Sequence, residues 1–324
     1  MNWRRTIQIG MLLLLWQATS SAPSNGADSY PSKPVRIITQ APAGNGPDVI
    51  ARIVADRLGR LWGQQVVMMN RPGAGGLLAA QAAVAAEADG YTLYQAITSS
   101  MLILPVTQSL PFDMQRDFVP IGHMGEQPFL VAVSPSLGVS TLQELIALAK
   151  QRPGEILAAC AARGSMPHLA AELLRSRAGI DLTLVPYPPT SQALQDLMGG
   201  RISVIFESLA GLKGAVDAGT VRPIAVTSPA RLPNLPNLPT VAESFPNYAA
   251  SGWFVLMAPA HTSDAIVRKI NNDLRTTLNE PELKRQFEQL GTYTRPMSAS
   301  EAAEFIKAEQ KVWQPLARKF IASK

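Results

Sequence analysis

Cysteine is nearly absent. The 324-residue chain carries Cys160 alone, so it forms no internal disulfide and no thiolate metal cluster. Histidine is almost as scarce: His123, His168 and His261 stand far apart, and none has another at metal-ligand spacing. Charged residues make up only 16%, and the net charge of +5 is scattered, with no Lys/Arg block and no interleaved aromatics. Nucleic acid is therefore not an expected partner. A mildly basic surface suits anionic solutes or a membrane face, but only weakly. Beyond the N-terminus no segment offers about 18 consecutive uncharged apolar residues, so no membrane-spanning helix is expected there. The chain also lacks a Gly-x-Ser-x-Gly elbow, a His-Glu-x-x-His pair and a phosphate loop ending in Gly-Lys-Ser/Thr. Gly73-Ala74-Gly75-Gly76 imitates part of a dinucleotide fingerprint, but Leu78 takes the third glycine position and the match fails. Neither a cofactor nor a metal is expected.

What is present is a globular composition, 47% hydrophobic, on a chain long enough for two lobes of roughly 100–150 residues each. Arg4-Arg5, an apolar run from Ile7 to Trp16, and the small residues Ala18, Ser20, Ser21 and Ala22 follow one another. That order is the charged, apolar and cleavage regions of a secretory signal peptide, read here as residues 1–22. No cysteine stands near the cleavage region, so a lipid anchor is not expected. The mature chain is expected in the periplasm.

From Val35 onward, short apolar runs alternate with amphipathic stretches, which predicts an α/β architecture with largely parallel sheets. Strands are expected at 35–40, 66–69 and 92–97, with helices at 47–61 and 75–86. The scheme repeats with strands at 129–133, 156–159, 182–185, 204–206 and 224–227, and helices at 141–151, 167–178, 191–198 and 209–218. Gly179 and Gly219 sit where helices should stop. The proline-rich stretch 231–246 reads as an extended return connection between lobes. A strand at 253–257 and helices at 264–278, 282–290 and 298–320 complete the chain. Two α/β lobes joined by crossing strands leave a cleft, where ligands favour binding and around which hinges close.

Three segments share one feature: a strand, a small-residue loop, then a helix start, where unpaired N–H groups and the helix dipole favour an anion. The first contains Gly44, Asn45, Gly46, Pro47 and Asp48. Its glycines permit close approach of a ligand, and Asp48 either caps neighbouring donors or repels an anion. The second is Thr98-Ser99-Ser100, whose hydroxyls serve either a ligand or a helix cap. The third contains Arg163, Gly164, Ser165, Pro167 and His168. Arg163 is either a bidentate carboxylate donor or a solvated loop residue, and His168 is read as a packed structural histidine. Glu207 ends an apolar strand and either accepts from a ligand or caps the next helix. An alternative reading is a secreted hydrolase of a small carboxylate ester or amide, with Cys160 or Ser165 as nucleophile beside His168. No base-and-orienter set is visible for it.

Taken together, these residues resemble the tripartite tricarboxylate transporter substrate-binding proteins, also called the Bug family. The resemblance runs from Tyr30 to Ala322. It rests on Tyr30-Pro31-Ser32-Lys33-Pro34-Val35-Arg36, on Pro42 to Asp48, on Asn70-Arg71-Pro72-Gly73-Ala74-Gly75-Gly76 and on Ala88-Asp89-Gly90-Tyr91-Thr92-Leu93. Leu110-Pro111-Phe112-Asp113, Arg116-Asp117-Phe118, His168 to Glu172, Val185-Pro186-Tyr187, Leu197-Met198-Gly199-Gly200, Leu238 to Glu243 and Trp253-Phe254 extend the series. The resemblance implies a type II periplasmic binding fold, or Venus flytrap. Residues 28–126 plus 250–324 form one lobe and 127–249 the other. It implies a monomeric, non-catalytic receptor for a small carboxylate, served by two integral membrane transporter subunits. Members grip a carboxylate between the first two loops of one lobe, matched here by Gly44, Asn45, Gly46, Thr98, Ser99 and Ser100. The other lobe sets specificity, through positions matched by Gly164, Ser165, His168 and Glu207. The chain departs from the family at Cys160-Ala161-Ala162-Arg163, where Ser and Gly are usual, at Glu207, usually Asp, and at Pro188-Pro189, usually Lys-Gly. A second anionic group on the ligand, meeting Arg163, is the expected consequence.

Overall fold

The computed structural model describes residues 30–187 and 189–322, so the expected signal peptide lies outside the described residues. The chain runs β1 (Val35–Thr39), α1 (Gly46–Trp62), β2 (Val66–Asn70), α2 (Leu77–Val84), β3 (Thr92–Ile97), α3 (Thr98–Leu102), α4 (Leu104–Thr107) and the long β4 (Phe118–Val133). Next come α5 (Leu142–Gln151), β5 (Leu157–Cys160), α6 (Met166–Ala178), β6 (Thr183–Pro186), α7 (Thr190–Met198), β7 (Val204–Ser208), α8 (Leu209–Asp217) and β8 (Arg222–Val226). It closes with β9 (Ser251–Pro259), α9 (Asp264–Leu278), α10 (Pro281–Gln289) and α11 (Ala299–Ala317).

The strands join in the order β2-β1-β3-β9-β4-β7-β5-β6, with β8 also on β4. β1 is parallel to β2 and β3, and β5 is parallel to β6 and β7. The strands that link the halves are antiparallel. β4 pairs β9 from Phe118 to Pro128, then pairs β7 from Phe129 and β8 from Leu130. One strand thus leaves one lobe and enters the other. The chain returns beside it: Thr227 N–H donates to the Phe129 carbonyl at 2.9 Å, and Ala250 N–H donates to the Thr227 carbonyl at 2.9 Å. β9 begins at Ser251, opposite Pro128.

Local chemistry explains the helices around this frame. In α1 the buried Ile50, Val54 and Leu58 recur every fourth residue, Pro47 occupies the first turn, and Gly63 ends the helix in the left-handed conformation. Ser165 caps α6 by accepting the His168 N–H, and Gly179 stops it. Ser298 and Glu301 form a reciprocal capping box on α11. The proline-rich connection carries a single 3-10 turn, Val241–Glu243.

Two stretches differ from expectation. Only 129–133 reads as strand in the sequence, whereas β4 starts at Phe118. Pro120, Gly122, Gly125 and Pro128 mask the alternation there, and the register slips twice against β9, between Pro120 and Gly122 and between His123 and Gly125. The short helices α3 and α4 also escape the periodicity, being too brief to show a turn-to-turn repeat.

Candidate functional site: a cleft between the lobes

A cavity of about 280 Å³ opens where the crossing strands meet the loops that follow β1, β3 and β5. Its walls draw on both lobes, because each of those loops leaves the end of a strand on the cleft side.

The first loop is held from behind. Asp48 is 1% exposed and its carboxylate accepts three bonds: Gly44 N–H at 2.8 Å, Arg52 Nε at 2.9 Å and Asn70 Nδ2 at 2.7 Å. Burial opposes its charge, but the donors of Arg52, Asn70 and Gly44 outweigh burial and hold the carboxyl below its ordinary range. Asn70 Nδ2 also reaches the Ala41 carbonyl at 2.8 Å. Neither Gly44, Gly46 nor Asp48 lines the cavity, whereas Asn45 does. Of the two roles open to Asp48, the structure thus places it as an organiser of the loop. Gly46 packs instead across the cleft, where a Cβ would overlap the Ser208 hydroxyl and stand 2.7 Å from Gln127 Oε1.

The second loop divides its hydroxyls. Thr98 Oγ1 accepts the Trp253 N–H at 2.7 Å and donates to the Trp253 carbonyl at 3.2 Å, tying α3 to β9. Ser100 Oγ donates to the Ile97 carbonyl at 2.8 Å, caps its own helix and does not line the cavity. Ser99 does line it, and accepts from Gln40 Nε2 at 2.9 Å. Gln40 in turn sits under Gly76, whose positive φ and missing side chain leave room for the Gln40 amide. The segment from Pro72 to Gly76, set aside in the sequence as a failed dinucleotide motif, is therefore a wall of this cavity.

On the other lobe the loop from Ala161 to Pro167 lines the cavity, and His168 does not. Ser165 Oγ accepts the N–H groups of His168 and Ala162, both at 3.3 Å, and His168 Nδ1 accepts the Gly164 N–H at 3.3 Å. Arg163 is exposed and, among the described residues, is the one lysine or arginine on the cavity wall. Glu207 is the one carboxylate there, 5% exposed. Its Oε1 accepts the Ser208 N–H at 2.7 Å and the Ser208 hydroxyl at 3.0 Å, and its Oε2 accepts the Thr190 hydroxyl at 2.9 Å. Burial pushes this carboxyl above its ordinary range despite those donors. Gln127 and Phe129 of β4, with Gly252 and Phe254 of β9, form the floor.

The sequence reading missed Gln40, Gln127 and Thr190. Gln40 could have been found as the residue just past a strand end. Gln127 and Thr190 carry no local signal, because the first sits in the unrecognised half of β4 and the second on the proline-flanked start of α7.

The geometry does not assemble a hydrolase. Cys160 is buried, its Sγ points at the Val185 carbonyl at 3.9 Å, and burial, then Glu172 and Glu207, push the thiol up to about 12. Ser165 is spent as a helix cap. No group of three His, Cys, Asp or Glu residues able to hold a metal occurs among the described residues, and no helix among them is long and apolar enough to cross a membrane.

Comparison with known proteins agrees with this arrangement. The model of the tripartite tricarboxylate transporter family receptor matches residues 50–321. Protein BugT of Bordetella pertussis is 33% identical over 321 residues, covering 98% of each chain. Among solved structures, an R. palustris protein with adipate superposes with a TM-score of 0.85 at 32% identity, covering 89% of this chain and 97% of that one. The periplasmic binding protein BugD gives a TM-score of 0.83 at 27% identity, covering 90% and 98%. MatC of Rhodopseudomonas palustris, with bound malate, gives 0.81 at 25% identity, covering 89% and 100%. With its two α/β lobes, crossing strands and lined cleft, the chain belongs to the tripartite tricarboxylate transporter receptor family of periplasmic solute-binding proteins and has their type II binding fold.

Proposed function

We propose that this receptor captures a small organic dicarboxylate with an apolar middle in the interlobe cleft and presents it, without chemical change, to a transporter of two integral membrane subunits. It acts as a monomer in the periplasm after removal of residues 1–22. Residues 28–126 plus 250–324 move as one lobe and 127–249 as the other.

The observation that carries this reading is the placement of Arg163. Among the described residues it is the one lysine or arginine on a cavity wall that includes the apolar Ala161, Ala162, Phe129, Ile97 and Phe254 and, as its one carboxylate, Glu207. Arg163 lies on the lobe opposite the polar loops of Asn45 and Ser99. One carboxylate on those loops and a second on the Arg163 guanidinium leave the apolar residues to contact the carbons between them. The relatives solved with adipate and with malate support a dicarboxylate.

The test is thermal unfolding of the mature protein, refolded to strip bound solute, against a panel of mono-, di- and tricarboxylates. A ligand at about 100 times its dissociation constant adds about 2.7 kcal/mol of stability, which shifts the midpoint by several degrees. A shift with a dicarboxylate and not with its diamide supports the reading. A panel with no shift at all overturns it.

A further inference from the structure

α3 and α4 follow one another with only Ile103 between them. In a continuous helix the N–H at position 105 would donate to the Met101 carbonyl. Residue 105 is proline, which has no N–H. The Met101 carbonyl is satisfied instead from the C-terminal helix: Gln310 Nε2 of α11 donates to it at 3.0 Å. A carbonyl can only accept, so the Gln310 atom facing it is the amide nitrogen. The Gln310 amide oxygen accepts from Gln115 Nε2, which holds the side chain in that sense. Met101 and Gln310 are both buried.

The turn held in this way carries the second loop of the cleft. Ile103 N–H donates to the Ser99 carbonyl at 3.0 Å, closing the turn on which Ser99 meets the cavity. Helices of five and four residues do not keep their shape alone. The residue before Gln310 also reaches toward this turn. Glu309 Oε2 accepts from Trp253 Nε1 at 3.0 Å, and the Trp253 backbone holds Thr98. One turn of α11 thus braces both ends of α3, Thr98 through Trp253 and Met101 directly.

We propose that Gln310 is a positioning residue for solute binding. It supplies the N–H that Pro105 lacks, and so fixes the backbone that presents Ser99 to the cleft. Gln310 itself does not line the cavity, so it acts through α3 and not by touching the solute. Its effect on affinity rests on the carboxylate-capture reading above. Its effect on the loop needs no solute.

The experiment reads hydrogen exchange at the Ile103 amide in the solute-free protein, and dicarboxylate affinity by titration calorimetry. The parent is compared with Gln310→Leu, with Pro105→Ala and with the double variant. Leucine removes the donor and keeps an apolar side chain in the buried site. Alanine at 105 returns a backbone N–H to the Met101 carbonyl. Gln310→Leu is expected to exchange Ile103 about tenfold faster than the parent and to bind about tenfold more weakly. Pro105→Ala alone should match the parent. The double variant should regain parental exchange and affinity, a rescue that a general loss of core packing would not show.

Equal exchange in the parent and Gln310→Leu overturns the proposal. So does an unchanged affinity in Gln310→Leu, or a double variant no better than Gln310→Leu. A parent that shows the exchange pattern but binds no dicarboxylate upholds the bracing of the loop and overturns the proposed function instead.

Discussion

Gly46 at the start of α1 packs against Ser208 at the end of β7, so closely that no side chain fits between them. The two residues belong to opposite lobes, and their contact bridges the cleft. Gly46 has no positive φ, so its lack of a side chain serves the approach of the lobes and not a strained backbone.

Gly46→Ala is accordingly expected to hold the cleft ajar while leaving each lobe folded. Affinity for the best dicarboxylate should fall at least tenfold, about 1.4 kcal/mol, with the unliganded melting temperature nearly unchanged. Titration calorimetry checks the first and thermal unfolding the second. An unchanged affinity would show that the contact is not needed for closure.

Arg163→Ala separates the two ends of the ligand. A lost charge-assisted bond removes about 1.5–3 kcal/mol, so dicarboxylate affinity should drop by roughly tenfold to a hundredfold. A monocarboxylate of the same chain length should bind as before. Equal losses for both ligands, measured side by side, would place Arg163 outside the distal contact.

Asp48→Ala removes the acceptor that holds the first loop and leaves the donors of Arg52, Asn70 and Gly44 without their partner. The expected cost is about 2–3 kcal/mol of folding stability. The pH dependence follows from a carboxyl held below its ordinary 3.8. Its stabilisation is present above 3.8 and lost as pH falls through the folded-state value. Denaturant melts of parent and variant should therefore converge in acid and diverge toward neutrality.

Thr98→Val tests whether that hydroxyl belongs to the ligand or to the fold. Both of its bonds go to the Trp253 backbone, and the variant leaves a buried N–H unpaired. The expected outcome is a loss of about 1–3 kcal/mol in stability, visible in an unfolding curve without any ligand. A variant as stable as the parent but unable to bind would reverse the assignment.

The regular parts of the fold were legible because their signals are local. Pro47 and the fourfold spacing of Ile50, Val54 and Leu58 define α1 within its own seventeen residues, and Gly63 ends it at the next position. The span of α9 was read correctly to both ends for the same reason, with Ser263 as its cap. The first half of β4 was not legible. A strand interrupted by Pro120, Gly122, Gly125 and Pro128 declares itself only through its partner β9, more than a hundred positions later in the chain.

In the site, sequence order alone located the three loops, since each follows a strand and precedes a helix. It could not say which side chains on those loops face the cavity. Ser99 and Ser100 are neighbours of one chemical type, yet one lines the cleft and the other caps its own helix. Asp48 and Glu207 are both buried acids at loop ends, but their carboxyls are driven in opposite directions. The first has a guanidinium and an amide against it, and the second has only hydroxyls and one N–H. Composition, loop order and motif series thus determined the architecture and the family from the sequence by itself. The bond from Gln310 to Met101, the fit of Gly46 against Ser208 and the lone cation at Arg163 were decided only by the tertiary structure. Each depends on distances between residues far apart in the chain, which no local pattern encodes.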